Sequence, residues 1–331
     1  MKFFSRPKSV ATVAFNTRPI AGPYGGGNQW VTQLSRCLTS CGYKVRFDLR
    51  QPADCLVLTH AGLSGSLQFG VDDIREYKRR HPHVPVIQRI NDNDRRKGTS
   101  EMNRVLAEMN SVTDHTVFVS EWLRDHHTEL WFDRTKPHSA ILNGADPGAF
   151  HPIGNRAFSA REPLRIATHH WSDNWSKGFH VYQEVDEMIA DGRLPDTELW
   201  VIGRWPKEIQ WKAAQTHPPC SGVALGELLR ICHVYLTASL WEPGAMHPVE
   251  GLQCGLPLIY HEDGGGTVEL GRQYGIGFRN NVADAIQAMR SRYAEFRGAV
   301  LATPPSGDWM CLQYRRLIQR CIAESFHVPG S

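Results

Sequence analysis

Long apolar runs are missing from this 331-residue chain. No stretch approaches the roughly 18 residues that a membrane-crossing helix needs. A strong net charge is missing too: the balance is +3, which excludes an overall basic surface for nucleic acid. None of the eight cysteines stands in a CxxC pair or a tight framework. That excludes a zinc ribbon, a dithiol motif and a disulfide-stapled fold. Cys55 and Cys254 lie in apolar runs and are expected to be buried thiols in a reducing compartment. The GxGxxG fingerprint is absent, which disfavours a dinucleotide site. The pairs His126-His127 and His169-His170 lack a third ligand at metal-site spacing, so no metal site is expected. Internal repeats and low-complexity segments are also absent. Residues 1–6 carry no long apolar core and do not read as a secretion signal. These absences together make a cytoplasmic location the expectation.

What is present reads as an α/β protein. Hydrophobic residues make up 41% and charged residues 21%, enough apolar surface for a sizeable core. Strand-like runs occur at 10–15, 44–49, 54–59, 84–90, 116–120 and 139–142, with helices near 66–80 and 100–110. A glycine loop spans 22–27. Val31, Leu34 and Leu38 then recur at helical spacing until Gly42. Residues 143–163 are dense in turn formers (Gly144, Pro147, Gly148, Pro152, Gly154, Pro163) and read as a linker. A second series follows: strands at 164–168, 198–202, 234–238 and 258–260, with helices at 178–191, 224–231, 247–254, 281–301 and 307–325. The expectation is two Rossmann-like, doubly wound domains facing across a cleft, at 1–155 and 156–305, with 306–331 as a closing helix. Residues 1–155 hold 20 Lys+Arg against 15 Asp+Glu, while the remainder is slightly acidic. A mildly basic first half suits an anionic acceptor or peripheral membrane contact.

The most specific stretch runs from Trp241 to Pro257. Glu242 and Glu250 are separated by seven residues. Pro248 suits a first helical turn, and Gly255 with Pro257 ends the helix. Eight helical residues rise about 12 Å, more than the roughly 5–9.5 Å between the carboxylates of a glycoside hydrolase. The pair therefore reads as two holders of one extended ligand, with backbone N–H groups of Gly244, Ala245 and Met246 suited to a phosphate. The plainer alternative is a loop carboxylate and a helix first-turn acid.

Further candidates line the expected strand ends. Gly25, Gly26 and Gly27 open the first helix and would let backbone approach a phosphate or sugar; a plain flexible turn is the alternative. Lys177 precedes Gly178 at a helix start and suits a diphosphate leaving group, or is a solvated charge. His60 follows a strand, in Thr59-His60-Ala61-Gly62, and suits sugar binding or proton transfer, or a structural role. Asp92-Asn93-Asp94 matches the short DxD pattern that can hold a metal. Followed by Arg95-Arg96-Lys97, it reads instead as a polar cleft loop touching acceptor.

Taken in order, these pieces resemble the retaining GT-B glycosyltransferases of family GT4, the glycosyl transferases group 1. The resembling segments are Tyr24-Gly25-Gly26-Gly27, Phe118-Val119-Ser120-Glu121, and Ile141-Leu142-Asn143-Gly144-Ala145-Asp146 with Phe150-His151-Pro152. They continue with Ser176-Lys177-Gly178-Phe179, the EX7E motif Glu242 to Glu250 with Cys254-Gly255-Leu256-Pro257, Gly264-Gly265-Gly266 with Glu269, and Trp309 with Tyr314. The resemblance implies a hexosyltransferase that uses a nucleotide-diphosphate sugar, UDP- or GDP-linked. It implies retention of configuration and no obligatory metal or cofactor. Glu250 would hold ribose hydroxyls, and Glu242 would contact the donor sugar near the reacting carbon. Lys177 and amides near Gly26 and Gly244–Met246 would hold the diphosphate. The last helix would cross back to the first domain. The acceptor would be a carbohydrate, a lipid-linked molecule or a small molecule.

Two departures stand out. The family's arginine a few residues before the lysine is absent, leaving His169, His170 or Arg204 to take its charge. Gln88-Arg89-Ile90-Asn91 stands where a histidine is usual, which makes His60 or Arg89 the replacement and groups Arg89 with Asp92 on the acceptor side. A sugar-nucleotide epimerase of the same fold and a non-catalytic nucleotide-sugar-binding subunit are the competing readings.

Overall fold

Six strands of the first half form one wholly parallel sheet. They are β1 (Thr12–Phe15), β2 (Lys44–Arg46), β3 (Cys55–Thr59), β4 (Val86–Ile90), β5 (His115–Phe118) and β6 (His138–Ala140), in the order β2-β1-β3-β4-β5-β6. The computed structural model describes residues 10–22, 24–60 and 65–325. Residues 1–6, Pro23 of the glycine loop, Ala61-Gly62 after His60 and residues 326–331 lie outside that description. All residues of β3 and β4 are buried, as expected for central strands with both faces covered. The covering helices are α1 (Gly26–Ser40), α2 (Val71–Arg80), α3 (Asp94–Lys97), α4 (Met102–Asn110) and α5 (Glu121–Leu130).

The second sheet is also parallel, ordered β12-β11-β10-β7-β8-β9. Its strands are β7 (Leu164–His170), β8 (Thr197–Gly203), β9 (Gln215–His217), β10 (Val234–Thr237), β11 (Leu258–His261) and β12 (Gly275–Phe278). Its helices are α6 (Phe179–Ala190), α7 (Val223–Ile231), α8 (Met246–Gln253), α9 (Thr267–Tyr274) and α10 (Val282–Ala302). The last helix, α11 (Gly307–Ser325), follows the second sheet in sequence but packs on the first. Tyr314 of α11 meets Trp30 of α1 edge-on, ring centroids 5.1 Å apart, beside buried Leu34, Leu38, Leu317 and Ile318. Each such apolar side chain contributes about 1.5–3 kcal/mol when buried. No helix among the described residues is long and apolar enough to cross a membrane.

The strand orders locate the ligand crevice. In the first sheet the direction of winding reverses at β1 and β3, and in the second at β7 and β10. Ligands of such sheets bind beyond the carboxyl ends of the strands at these reversals. The two crevices face each other. Asn143 Nδ2 donates to Gly244 O at 2.5 Å, and Asn93 Nδ2 donates to Trp241 O at 3.3 Å. The Glu269 carboxylate accepts from the backbone N–H of Trp122 at 2.6 Å and of Glu121 at 3.2 Å, capping α5 from the other sheet's side. Gly244 allows this approach: a Cβ there would lie 2.7 Å from Val119 O.

Several boundaries differ from the sequence reading. Val10 is exposed and precedes β1. The strand expected to reach 120 ends at Phe118, because the Ser120 hydroxyl accepts from Leu123 N–H and caps α5. The elements β9, α9 and β12 were not legible, being short or hidden behind the turn signal of Gly264-Gly265-Gly266.

Candidate active site

The ends of β3, β4, β7 and β10 and the first turns of α1 and α8 enclose a cavity of about 310 Å³ between the sheets. Its wall includes Gly25, Gly26, Gly27, His60, Arg89 and Asp92 from the first half. Lys177, Glu242, Gly244, Ala245, Met246 and Glu250 come from the second. Of the residues expected to bind donor or acceptor or to act in catalysis, only Arg204 is missing from this wall. Backbone turns at Gly203 (φ +112), whose missing Cβ would fall 2.1 Å from His170 O. Arg204 N–H donates to that carbonyl at 2.8 Å, and its side chain is exposed, away from the cavity. It is not in place to replace the absent arginine.

Lys177 owes its position to a short 3-10 turn, Trp175–Lys177, capped by Asn174 Oδ1. Gly178 then adopts a left-handed conformation (φ +84), and a Cβ there would meet Ala238 O at 2.3 Å. This places the lysine ammonium on the Glu242 carboxylate as a buried ion pair. Burial alone would raise the Glu242 carboxyl, but Lys177 and then Arg96 outweigh it and hold it below its usual range. Trp241, just before, has φ +52, which is strained for a bulky residue. Its N–H donates to Asp263 O at 2.9 Å, while Glu242 O accepts from Gly266 N–H at 2.7 Å, so the loop is held from both sides.

Glu250, on α8, pairs its Oε2 with His169 Nε2 at 2.7 Å. Its Oε1 is buried without a protein partner among the described residues, as are His170 Nδ1 and His247 Nε2. All three residues line the cavity. Burial, with Lys177 and neighbouring histidines adding, pushes His170 and His247 well below the ordinary histidine range.

The first-half wall is cationic. Arg89 lies on β4, within the strand expected at 84–90; it is fully buried, 4.6 Å from the Trp30 ring, and donates to Asn143 Oδ1 at 2.9 Å. Asn143 thus links Arg89 to Gly244 across the cleft. Asp92 is shared by Arg96 at 3.0 Å and Lys97 at 3.1 Å. Asp94 instead accepts from the N–H groups of Met102 and Asn103 at the start of α4. Both acids of the DxD pattern are thus engaged within the protein. His127 is buried with both ring nitrogens satisfied, by Asp92 O and the Trp131 indole N–H. His60 is half-buried, and burial and Lys97 lower it. Four cations and three carboxylates in the wall leave room for an anionic ligand.

Sequence reasoning left Arg96 as one of a basic run, Asn143 as part of a junction motif and His247 as a spacer within EX7E. Tyr235 went unnoticed, since a tyrosine in an apolar strand reads as core.

Residues 174–291 match the family model of glycosyl transferases group 1. Solved structures similar to this glycosyltransferase extend the likeness over both sheets. Sucrose-phosphate synthase from Thermosynechococcus elongatus is 15% identical, with 95% of this chain and 99% of that one covered at a TM-score of 0.66. Anabaena HepE, in complex with UDP and glucose, is 12% identical, with 94% and 100% covered at 0.67. AviGT4, a glycosyltransferase involved in avilamycin A biosynthesis, is 16% identical, with 95% and 98% covered at 0.63. At these identities the likeness speaks for the fold, which is GT-B. A search of curated proteins finds no match. By domain and fold together, the glycosyltransferase is a transferase enzyme.

Proposed function

We propose that the enzyme moves a hexose from a nucleotide-diphosphate sugar, UDP- or GDP-linked, to a carbohydrate, lipid-linked or small-molecule acceptor. The transfer retains configuration and needs no metal or other cofactor. The observation that carries this reading is the convergence of the Lys177–Glu242 ion pair and the half-satisfied Glu250 on one interdomain cavity. HepE and starch synthase IV of Arabidopsis thaliana, both similar in fold, are solved with UDP-glucose and ADP respectively.

In this reading Lys177 and the amides of Gly26, Gly244, Ala245 and Met246 hold the diphosphate. Glu250 holds the ribose, and Glu242 faces the sugar near its reacting carbon. His170 takes the place of the family's arginine. His170 Nε2 lies 3.0 Å from Tyr182 Oη, which accepts from Ala238 N–H at 2.9 Å, and 3.1 Å from Thr168 Oγ1; with these hydroxyls donating to Nε2, Nδ1–H serves as the donor. The bond from the anomeric carbon to phosphate oxygen breaks, and the acceptor oxygen bonds that carbon on the same face. The acceptor proton passes to the departing phosphate. Cations that favour the charge developing there lower the barrier. His60, Arg89 and Asp92 form the acceptor side, within a domain at 1–155. The donor domain spans 156–305, with 306–331 crossing back. Peripheral membrane contact through the basic first half belongs to the same proposal.

The test is thermal stabilisation by UDP, GDP, ADP and their sugar conjugates, with and without magnesium. A selective, magnesium-independent rise in Tm is expected. No rise with any of them, from folded protein, overturns the donor assignment. Product formed from donor alone, without acceptor, would favour the epimerase instead.

A further inference from the structure

The second domain contains a buried chain of four polar side chains whose two ends belong to the cavity wall. Glu250 Oε2 lies 2.7 Å from His169 Nε2, His169 Nδ1 lies 3.0 Å from Tyr235 Oη, and Tyr235 Oη lies 3.1 Å from His247 Nδ1. His169, Tyr235 and Glu250 are almost fully buried; His247 keeps some exposed surface but its Nε2 is covered. The members come from three elements, β7, β10 and α8. Gly251 makes the contact with Tyr235 feasible: a Cβ there would lie 2.5 Å from Tyr235 Cδ2, so the ring fills the space a side chain would take.

With Glu250 ionised and His169 neutral, one set of hydrogen bonds accounts for the protons of this chain. A carboxylate only accepts, so His169 carries its proton on Nε2 and offers a lone pair at Nδ1. Tyr235 has one hydroxyl hydrogen, and its oxygen already accepts the backbone N–H of His169 at 3.1 Å. Of the two His169 acceptors within its reach, O at 3.4 Å and Nδ1 at 3.0 Å, the nearer takes that hydroxyl hydrogen. The remaining lone pair of Tyr235 faces His247 Nδ1, which therefore carries the proton. His247 Nε2 is left as an acceptor with no donor in the protein among the described residues. Burial first, then the nearby Lys177, favours the neutral ring, and the positive end of the α8 dipole acts in the same direction.

Glu250 Oε1 is the second such acceptor. Residues 247 and 250 are three apart on α8, a spacing that puts side chains on one face. Two unsatisfied acceptors on one face of α8, both in residues of the cavity wall, match two adjacent hydroxyl donors. Phosphate, which only accepts at neutral pH, does not match them. Leaving such atoms desolvated and unpaired costs free energy that a ligand hydroxyl returns.

We propose that His247, fixed as an acceptor by the Glu250–His169–Tyr235 chain, reads one hydroxyl of a vicinal diol while Glu250 reads the other. The diol is the ribose of the nucleotide, so this assignment rests on the nucleotide-sugar reading of the cavity. His169 and Tyr235 are positioning residues.

Two measurements test it. Long-range nitrogen–proton NMR of the histidine rings in the free protein, assigned with His247→Gln, reports the tautomer directly. Nδ1–H at His247 is expected, with that assignment lost in Tyr235→Phe. An Nε2–H ring at His247 in the unaltered protein overturns the proposal. Calorimetry then compares UDP, GDP and ADP with their 2′-deoxy and 3′-deoxy counterparts. The ribonucleotide that binds should exceed each deoxy form by about tenfold, the worth of one hydrogen bond. His247→Ala should lose the preference against one deoxy form and keep it against the other, and Tyr235→Phe should move the same preference in the same direction. Both preferences intact in both folded variants, checked by thermal unfolding, overturns it. Binding of none of the three nucleotides to the unaltered protein overturns the nucleotide reading and the diol with it, while the ring spectrum still decides the proton chain.

Discussion

Lys177 and Glu242, 65 residues apart in sequence, form a buried ion pair in the wall of the cleft. Neither is held by the other alone. Gly178 and the 3-10 turn aim the lysine, and the strained Trp241 with its bonds to the Gly264–Gly266 turn aims the carboxylate.

Separating the pair should separate binding from turnover. Lys177→Ala should weaken donor binding by about 1.5–3 kcal/mol, the worth of a charged hydrogen bond. Glu242→Ala should lower kcat by about a hundredfold or more with a smaller change in KM. Glu250→Ala should act mainly on donor affinity. Calorimetry and steady-state kinetics on the three variants check this, and unchanged values in all three would remove these residues from the site.

Acid should release the same pair. The native Glu242 carboxyl lies below its ordinary 4.5, so its contribution is fully present above pH 4.5 and is lost as pH falls below that through the native value. Urea unfolding of Glu242→Gln should show a flatter loss of stability over that range than the unaltered protein.

His127 works at a higher pH. Burial outweighs the Asp92 carbonyl and lowers the ring to about 4 from 6.5. Above pH 6.5 both native and unfolded rings are neutral. Between 6.5 and 4 the unfolded chain takes a proton that the native ring refuses, so stability falls with pH by up to about 1.4 kcal/mol per unit. In His127→Gln the pH slope of unfolding should be shallower by about one proton.

Two glycines should resist alanine for different reasons. Gly178→Ala must adopt φ +84 and crowd the Ala238 carbonyl, so a loss of about 1–3 kcal/mol with displacement of Lys177 is expected. Gly251→Ala must push against the Tyr235 ring, costing about 1–3 kcal/mol by overpacking. Thermal unfolding measures both, and a neutral Gly251→Ala would show that Tyr235 is free to shift.

Asn143 joins the two halves through Arg89 and Gly244. Asn143→Ala removes the side chain that pairs Gly244 O and one of the partners of the buried Arg89 guanidinium, at about 1–3 kcal/mol. Donor affinity should fall with stability, because the freed loop carries the Gly244–Met246 amides. Unfolding and nucleotide titration on one sample test the link.

Much of this was legible beforehand. Buried strands announce themselves as apolar runs, and Pro248 and Gly255 bracket α8 to within a residue. Lys177, Glu242, Glu250 and the glycine loop were named from spacing and resemblance, and all reach one cavity. Arg204 failed because its nearness to a strand end in sequence says nothing of which way the chain leaves Gly203. Tyr235, Arg96 and Asn143 were missed as partners because each acts through a contact with an element distant in sequence.

By itself, then, the sequence determined two alternating α/β series, a turn-rich junction and an ordered set of motifs that points to one chemistry. Those features are local: periodicity, caps and turns act within a few residues of each other. Tertiary structure alone decided which charges meet, which polar atoms stay unpaired and which histidine nitrogen carries a proton. Such decisions depend on a desolvated cleft where distances of a few ångströms set the energy, and that cleft exists only once two sheets, separated in sequence, face each other.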